Sequence, residues 1–181
     1  MFLYPTFSSV YNLFTFYTDL VFHLGFRQFT AKQVHNALHY EPFYNAIYTL
    51  NRNISVYRNT DYTMGDFLAE NNTCRPLQYS MLFDNTTIAG FCKTELTQKK
   101  RIYLYSYLID PQYRGKIITD NLSYNSLFMN CVCESFRQQN YSTIELKVHE
   151  DNVKAYNGYK HNGFHTTSKQ EKRYMMEIKL S

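Results

Sequence analysis

Leu108-Ile109-Asp110-Pro111-Gln112-Tyr113-Arg114-Gly115-Lys116 is the stretch on which the reading of this chain turns. The residues leading into it, 101–109, run Arg-Ile-Tyr-Leu-Tyr-Ser-Tyr-Leu-Ile, a composition that favours a pleated sheet, and Asp110-Pro111 ends the strand. The residues after it predict a long helix over about 115–138, with Ile118, Leu122, Met129, Val132, Cys133 and Phe136 on its apolar face. A strand that turns directly into a helix leaves the first helical N–H groups unpaired at the positive end of the helix dipole. Such an end is a ready seat for a phosphate or diphosphate. Arg114 and Lys116 add positive charge there, and Gly115 lets a ligand come close to the backbone. Spacing alone also fits an ordinary strand-to-helix turn with solvated cations.

Upstream, 77–83 and 87–95 read as a hairpin turning at Asp84-Asn85, followed by a second turn over 96–100. Downstream, 143–149 alternates cleanly, with Ile144, Leu146 and Val148 inward and Glu145 and Lys147 outward. A short helix is expected over about 152–161, then strands over 163–168 and 173–180. In the last of these Tyr174, Met176, Ile178 and Leu180 share a face. A strand–helix–strand crossover from 101–109 to 143–149 demands parallel pairing. The expected fold is therefore α/β (α+β), a single domain with a mixed, mostly antiparallel sheet and helices on both faces.

The N-terminal third is less regular. Val10, Leu13, Phe14, Tyr17, Val21 and Leu24 fit one helical face ending at Gly25, while Phe22, Leu24 and Phe26 fit the start of a strand. Residues 1–21 are expected to be a helical extension packed on a domain spanning 22–181. Thr30 could cap a helix over 31–40, and a second helix is expected over 43–51.

With 181 residues, 44% hydrophobic and 19% charged, the composition is that of one globular domain. A net charge of +4 is too slight for a dedicated nucleic-acid binder. Cys131 and Cys133 do not have the spacing of a zinc pair, so the four cysteines are expected to be structural and no metal is expected. The apolar N-terminus lacks a basic n-region and is interrupted by Asn12, Thr15, Thr18 and Asp19. It reads as neither signal peptide nor membrane span, and a cytoplasmic protein without membrane contact is expected.

Asp110 to Lys116 resembles the start of the acetyl-CoA motif of the GNAT family of N-acetyltransferases, Pro-x-x-Arg-Gly-x-Gly-x-Gly/Ala on a strand–loop–helix. A second segment, Asn152-Val153-Lys154-Ala155-Tyr156-Asn157-Gly158-Tyr159-Lys160-His161-Asn162-Gly163-Phe164, is similar to the family's Asn-x-x-Ala, then Tyr, then Gly-Phe. The order of strands and helices also resembles the family's. Where the family has later glycines, this chain has Ile117 and Thr119.

The resemblance implies acetyl-CoA as cosubstrate. Backbone N–H groups of Arg114, Gly115, Lys116, Ile117, Ile118 and Thr119 would hold its diphosphate, and the backbone of Leu108 and Ile109 its pantetheine arm. Asn152 and Tyr156 would contact the cofactor, and Tyr159 would protonate the departing thiolate. No carboxylate precedes Asp110 on strand 101–109, so Glu145 or His149 would serve as base, Glu145 being favoured. The acceptor implied is a primary amine of a small molecule or peptide, attacked directly, by a monomer or homodimer. Two other functions remain open: an acetyltransferase acting on aminoacyl-tRNA, as toxin-type relatives do, and a non-catalytic binding or scaffold protein that kept the fold.

Overall fold

The computed structural model describes residues 24–30 and 76–180, apart from 86, 98 and 120. The expected extension over 1–21, the helices over 31–40 and 43–51, and Cys74 lie outside the described residues.

The chain forms β1 (Leu24–Thr30), β2 (Leu77–Asp84), β3 (Thr87–Leu96) and β4 (Arg101–Ile109), then a single 3-10 turn at Pro111–Tyr113. Two short strands follow, β5 (Ile117–Thr119) and β6 (Leu122–Ser123), then α1 (Tyr124–Gln138), β7 (Thr143–His149), α2 (Val153–His161), β8 (His165–Gln170) and β9 (Arg173–Lys179). Seven strands make one sheet in the order β1-β2-β3-β4-β7-β9-β8, and β5 and β6 make a separate hairpin. All neighbours in the large sheet are antiparallel except β4 and β7, which the α1 crossover makes parallel. The fold is thus the mixed, mostly antiparallel α/β sheet expected. Leu24 belongs to β1, so the strand reading of Leu24 and Phe26 holds and a helix reaching Leu24 does not.

The core lies between the sheet and α1. Phe128, Met129, Val132 and Phe136 pack on Ile102, Leu104, Ile144, Leu146, Val148 and Met176, all buried. The alternation read in 143–149 is the one observed, since Ile144, Leu146 and Val148 are the buried positions. Tyr107 touches both Phe128 of α1 and Tyr159 of α2. One side chain projects to one face, so both described helices cover the same face of the sheet.

The main correction concerns 115–123. The helix expected to open there begins instead at Tyr124, and Ile118 and Leu122 belong to the segment before it. Ile117-Ile118-Thr119 is a β-branched run that favours extended backbone over helix. Asn121 takes the left-handed conformation (φ 71°), reversing the chain, and Ile117 pairs with Ser123 and Thr119 with Leu122. Ser123 then caps α1, its side chain accepting from Ser126 N at 3.1 Å. The strand expected over 163–168 runs instead over 165–170, so the turn into β9 is tighter than expected.

Gly90, on β3 opposite Ile109, is required by close packing: a Cβ there would stand 2.7 Å from Phe128 Cδ1. Gly90→Ala should therefore lower the unfolding free energy by about 1–3 kcal/mol through overpacking. Urea titration would read this as a lower midpoint at unchanged slope.

Candidate active site

β4 and β7 are paired only at Arg101–Leu104 and Thr143–Leu146. Beyond Leu104 both strands continue, β4 to Ile109 and β7 to His149, but against other neighbours. The cause is a bulge. Lys93 pairs with Ser106 and Thr94 with Leu104, leaving Tyr105 as an extra residue in β4. An extra residue bends the strand and flips its side-chain phase. Ile102 and Leu104 face α1 before the bulge, and Tyr107 and Ile109 face it afterwards.

The bulge also decides which backbone groups face the gap. Asp110 N donates to Ala89 O at 3.0 Å, so Leu108 and Asp110 turn their N–H and C=O groups towards β3. Those of Tyr107 and Ile109 point the other way, into the gap between β4 and β7. Of the two strand-end residues singled out in the sequence, Ile109 turns its backbone into the gap, whereas the Leu108 backbone is committed to β3. Arg114 Nε donates to Ile109 O at 2.9 Å, so the guanidinium closes the outer end of the gap.

Tyr107 was not singled out from the sequence among the tyrosines of its strand. Its ring stacks on Phe128 (5.2 Å between centroids, 20°), and its hydroxyl donates to Asn125 O in the first turn of α1 at 2.8 Å. Tyr159 lies beside it, at 6.2 Å and 58°, and itself leans on Phe164 at 5.5 Å. Both phenols are held well above the ordinary range, chiefly by burial, with Cys92 adding to each rise. The Tyr159 hydroxyl makes no hydrogen bond among the described residues.

Asn152 and Tyr156 also have roles within the fold. Asn152 is the N-cap of α2, and its side chain accepts from Ala155 N at 3.2 Å, which starts the helix. Tyr156 packs on Tyr174 at 4.8 Å, and its hydroxyl lies 3.2 Å from Thr166 Oγ1, towards β8 and β9 rather than towards Tyr107.

Glu145 alternates with the buried Ile144 and Leu146, so it lies on the opposite face of the sheet from Tyr159. Arg101 Nη2 bridges it, at 2.7 Å, to Glu177, at 3.1 Å. His149 Nδ1 accepts from Asp151 N at 3.3 Å at the end of β7. On the Glu145 face the bulge residue Tyr105 donates to Glu95 Oε2 at 2.5 Å, a pairing no sequence signal indicated.

In the loop 111–123, two of the six amides expected at the diphosphate, those of Arg114 and Lys116, bond within the loop. Arg114 N donates to Pro111 O (3.4 Å), Lys116 N to Tyr113 O (3.3 Å), and Tyr124 N to Lys116 O (3.3 Å). Ile117 and Thr119 belong to the hairpin, Ile118 is half-buried, and Ile117 is 59% exposed. Gly115 adopts φ 72°, with open space where a side chain would be.

The mixed sheet thus has one parallel pair, which parts beside the half-buried tyrosines Tyr107 and Tyr159. The acetyltransferase (GNAT) family model matches residues 44–164, and the chain belongs to that family. Solved structures that share the fold include three N-acetyltransferases. The ribosomal-protein-S18-alanine N-acetyltransferase of Escherichia coli is 16% identical, with TM-score 0.60 over 87% of this chain and 94% of that one. The spermidine N-acetyltransferase of Vibrio cholerae, solved with CoA and spermine, is 18% identical, with TM-score 0.61 over 87% and 96%. The PaiA N-acetyltransferase of Thermoplasma acidophilum, solved with coenzyme A, is 17% identical, with TM-score 0.58 over 86% and 98%. No curated protein sequence matches the chain.

Cys92, Cys131 and Cys133 are free and buried, as expected of structural thiols. Burial raises all three, Cys131 to about 12 and Cys133 to about 11, with Cys92 higher still. A raised pKa keeps the thiol protonated, and the thiolate is the reactive form. Iodoacetamide at about pH 8 should leave these three unmodified in the native protein and modify them in denaturant, where thiols return to about 8.5. Peptide mass mapping reads the difference, and native alkylation of Cys92 would contradict its burial.

Proposed function

We propose that the protein transfers an acetyl group from acetyl-CoA to a primary amine of a small molecule or peptide by direct attack. The observation that carries this reading is the gap opened after Leu104, with the backbone of Tyr107 and Ile109 turned into it and the Tyr159 phenol alongside. The amide-bearing pantetheine arm fits this gap, because unpaired strand groups need hydrogen-bond partners and the arm carries them. The diphosphate end would lie at the loop 111–123, where Arg114 and Lys116 carry positive charge and Gly115 leaves open space beside the backbone. The solved relatives named for acting on spermidine and on a protein alanine keep the acceptor class as broad as small molecule or peptide.

Acetyl-CoA would supply the acyl group already activated as a thioester. The strand groups of Tyr107 and Ile109 would hold the arm extended, and the free backbone N–H in the gap is placed to stabilise charge developing on the carbonyl oxygen. The neutral amine attacks the carbonyl carbon, a C–N bond forms and the C–S bond breaks. Tyr159 gives its proton to the leaving sulfur and is reprotonated from solvent. Glu145, the cross-strand partner of Tyr103 beside the point where β4 and β7 part, would take the acceptor's proton from the other face. Asn152 would act by starting α2 and so placing Tyr159, and Tyr156 by anchoring the helix on Tyr174.

One observation favours a second reading, a non-catalytic family member: the β5–β6 hairpin where a diphosphate loop was expected. A screen of amine acceptors with detection of released thiol separates the two, since the non-catalytic reading allows no release with any amine.

Tyr159→Phe should lower turnover at least about tenfold with little change in cofactor affinity, because only the proton donor is lost. The raised folded-state pKa of Tyr159 means the phenol stays protonated as pH rises past its unfolded value near about 10. Turnover should therefore show no alkaline loss below about pH 10 attributable to this group. Steady-state rates of the two proteins across pH check both points; an unchanged rate in Tyr159→Phe removes the residue from the mechanism.

A further inference from the structure

Asp84, the last residue of β2, is paired on both sides, with Leu24 of β1 and Thr87 of β3. The sheet therefore fixes where its carboxylate stands. Tyr124, the first residue of α1, donates its hydroxyl to Asp84 Oδ2 at 3.1 Å. Tyr113, the last residue of the 3-10 turn, meets the Tyr124 ring at 4.8 Å and bonds Asp84 as well. Burial first, and then the Asp84 bond, push the Tyr124 phenol up to about 12. Tyr113 is raised too, burial leading and Asp84 following.

The two tyrosines bracket residues 114–123, and both hold Lys116. Lys116 N donates to Tyr113 O (3.3 Å), Tyr124 N donates to Lys116 O (3.3 Å), and Lys116 Nζ lies 5.5 Å from the centre of the Tyr113 ring. The backbone between them carries Gly115 in the left-handed conformation and then turns into the β5–β6 hairpin. One carboxylate on the sheet thus fastens both ends of the segment, and through them the cation held between. Hydrogen bonds to a carboxylate are stronger than those between neutral groups, which makes Asp84 the firm point of this chain of contacts.

We propose that Asp84 is a positioning residue for the diphosphate end of the acyl donor: without touching the ligand, it sets the loop that carries Arg114, Gly115 and Lys116. The proposal rests on the acetyl-donor reading above and deepens it. Two effects of this carboxylate have opposite signs. As a negative charge near the loop it disfavours an anion, so its removal would tighten CoA. As the fixed point of the loop it favours the anion, so its removal loosens CoA. Phenol donors take up part of the charge and salt screens the rest, so the placing effect wins.

Calorimetric titration of the full chain with CoA and with pantetheine, which lacks the diphosphate, tests this. Asp84→Ala should weaken CoA about tenfold and change pantetheine less than about threefold. Asp84→Asn keeps the size and one acceptor oxygen but not the charge, and should recover most of the CoA affinity. Tyr124→Phe removes a single bond to Asp84 and should give a smaller loss, again confined to CoA; it carries the test if Asp84→Ala does not fold. CoA binding unchanged or tighter in Asp84→Ala and Tyr124→Phe overturns the proposal and leaves the acetyl-donor reading standing. An equal loss for both ligands does the same, since it marks general damage to the fold. No CoA binding by the unaltered protein removes the acetyl-donor reading and this proposal together.

Discussion

After Leu104 two neighbouring parallel strands stop satisfying each other's backbone, and the rest of the site is arranged around that failure. Buried N–H and C=O groups are rarely left without partners. Here Arg114 reaches back to cover the Ile109 carbonyl, and the remaining groups of Tyr107 and Ile109 face the gap. The extra residue Tyr105 causes the parting, and by reversing the side-chain phase it swings Tyr107 onto the face of α1 and α2. One inserted residue thereby parts the strands and brings phenols beside the gap.

The opposite face solves a different problem. Glu95, Tyr103, Glu145, Glu177 and His165 are direct cross-strand partners in succession across β3, β4, β7, β9 and β8. Like charges directly opposite repel. Arg101 bridges Glu145 and Glu177, Lys179 and His165 flank Glu177, and Tyr105 hydrogen-bonds Glu95. The Glu177 carboxyl is held below its usual range, chiefly by the Lys179 bond. The carboxylates of this face are thus each compensated locally.

Where a single local rule governed the outcome, the sequence was legible. Alternation in 143–149 identified its buried face, and the sheet-forming residues of 101–109 marked the strand with both ends correct. The site was less so. Nothing in Tyr103-Leu104-Tyr105-Ser106-Tyr107 says which tyrosine is the extra one, because a bulge is fixed by register against β3 and not by composition. The resemblance implies a cofactor contact for Asn152, and an Asn just before a helix also has a local role in capping, which its side chain fills here. Glu145 and Tyr159 were paired by role, yet strand alternation puts them on opposite faces.

The helix start was misplaced for an instructive reason. Arg114-Gly115 drew the reading towards a turn that opens a helix immediately, while the three residues after Lys116 are β-branched and prefer extended backbone. Local preference won, and the cap moved to Ser123. That shift has a consequence at the site. With α1 beginning at Tyr124, its first turn brings the Asn125 carbonyl to the Tyr107 hydroxyl, and Phe128 one turn later lies under the Tyr107 ring. Had the helix opened at Gly115, this register between α1 and β4 would be different, and Tyr107 would lose the contacts that hold it against Tyr159. The hairpin that stands where the helix start was expected is therefore also what sets the geometry of the phenol pair.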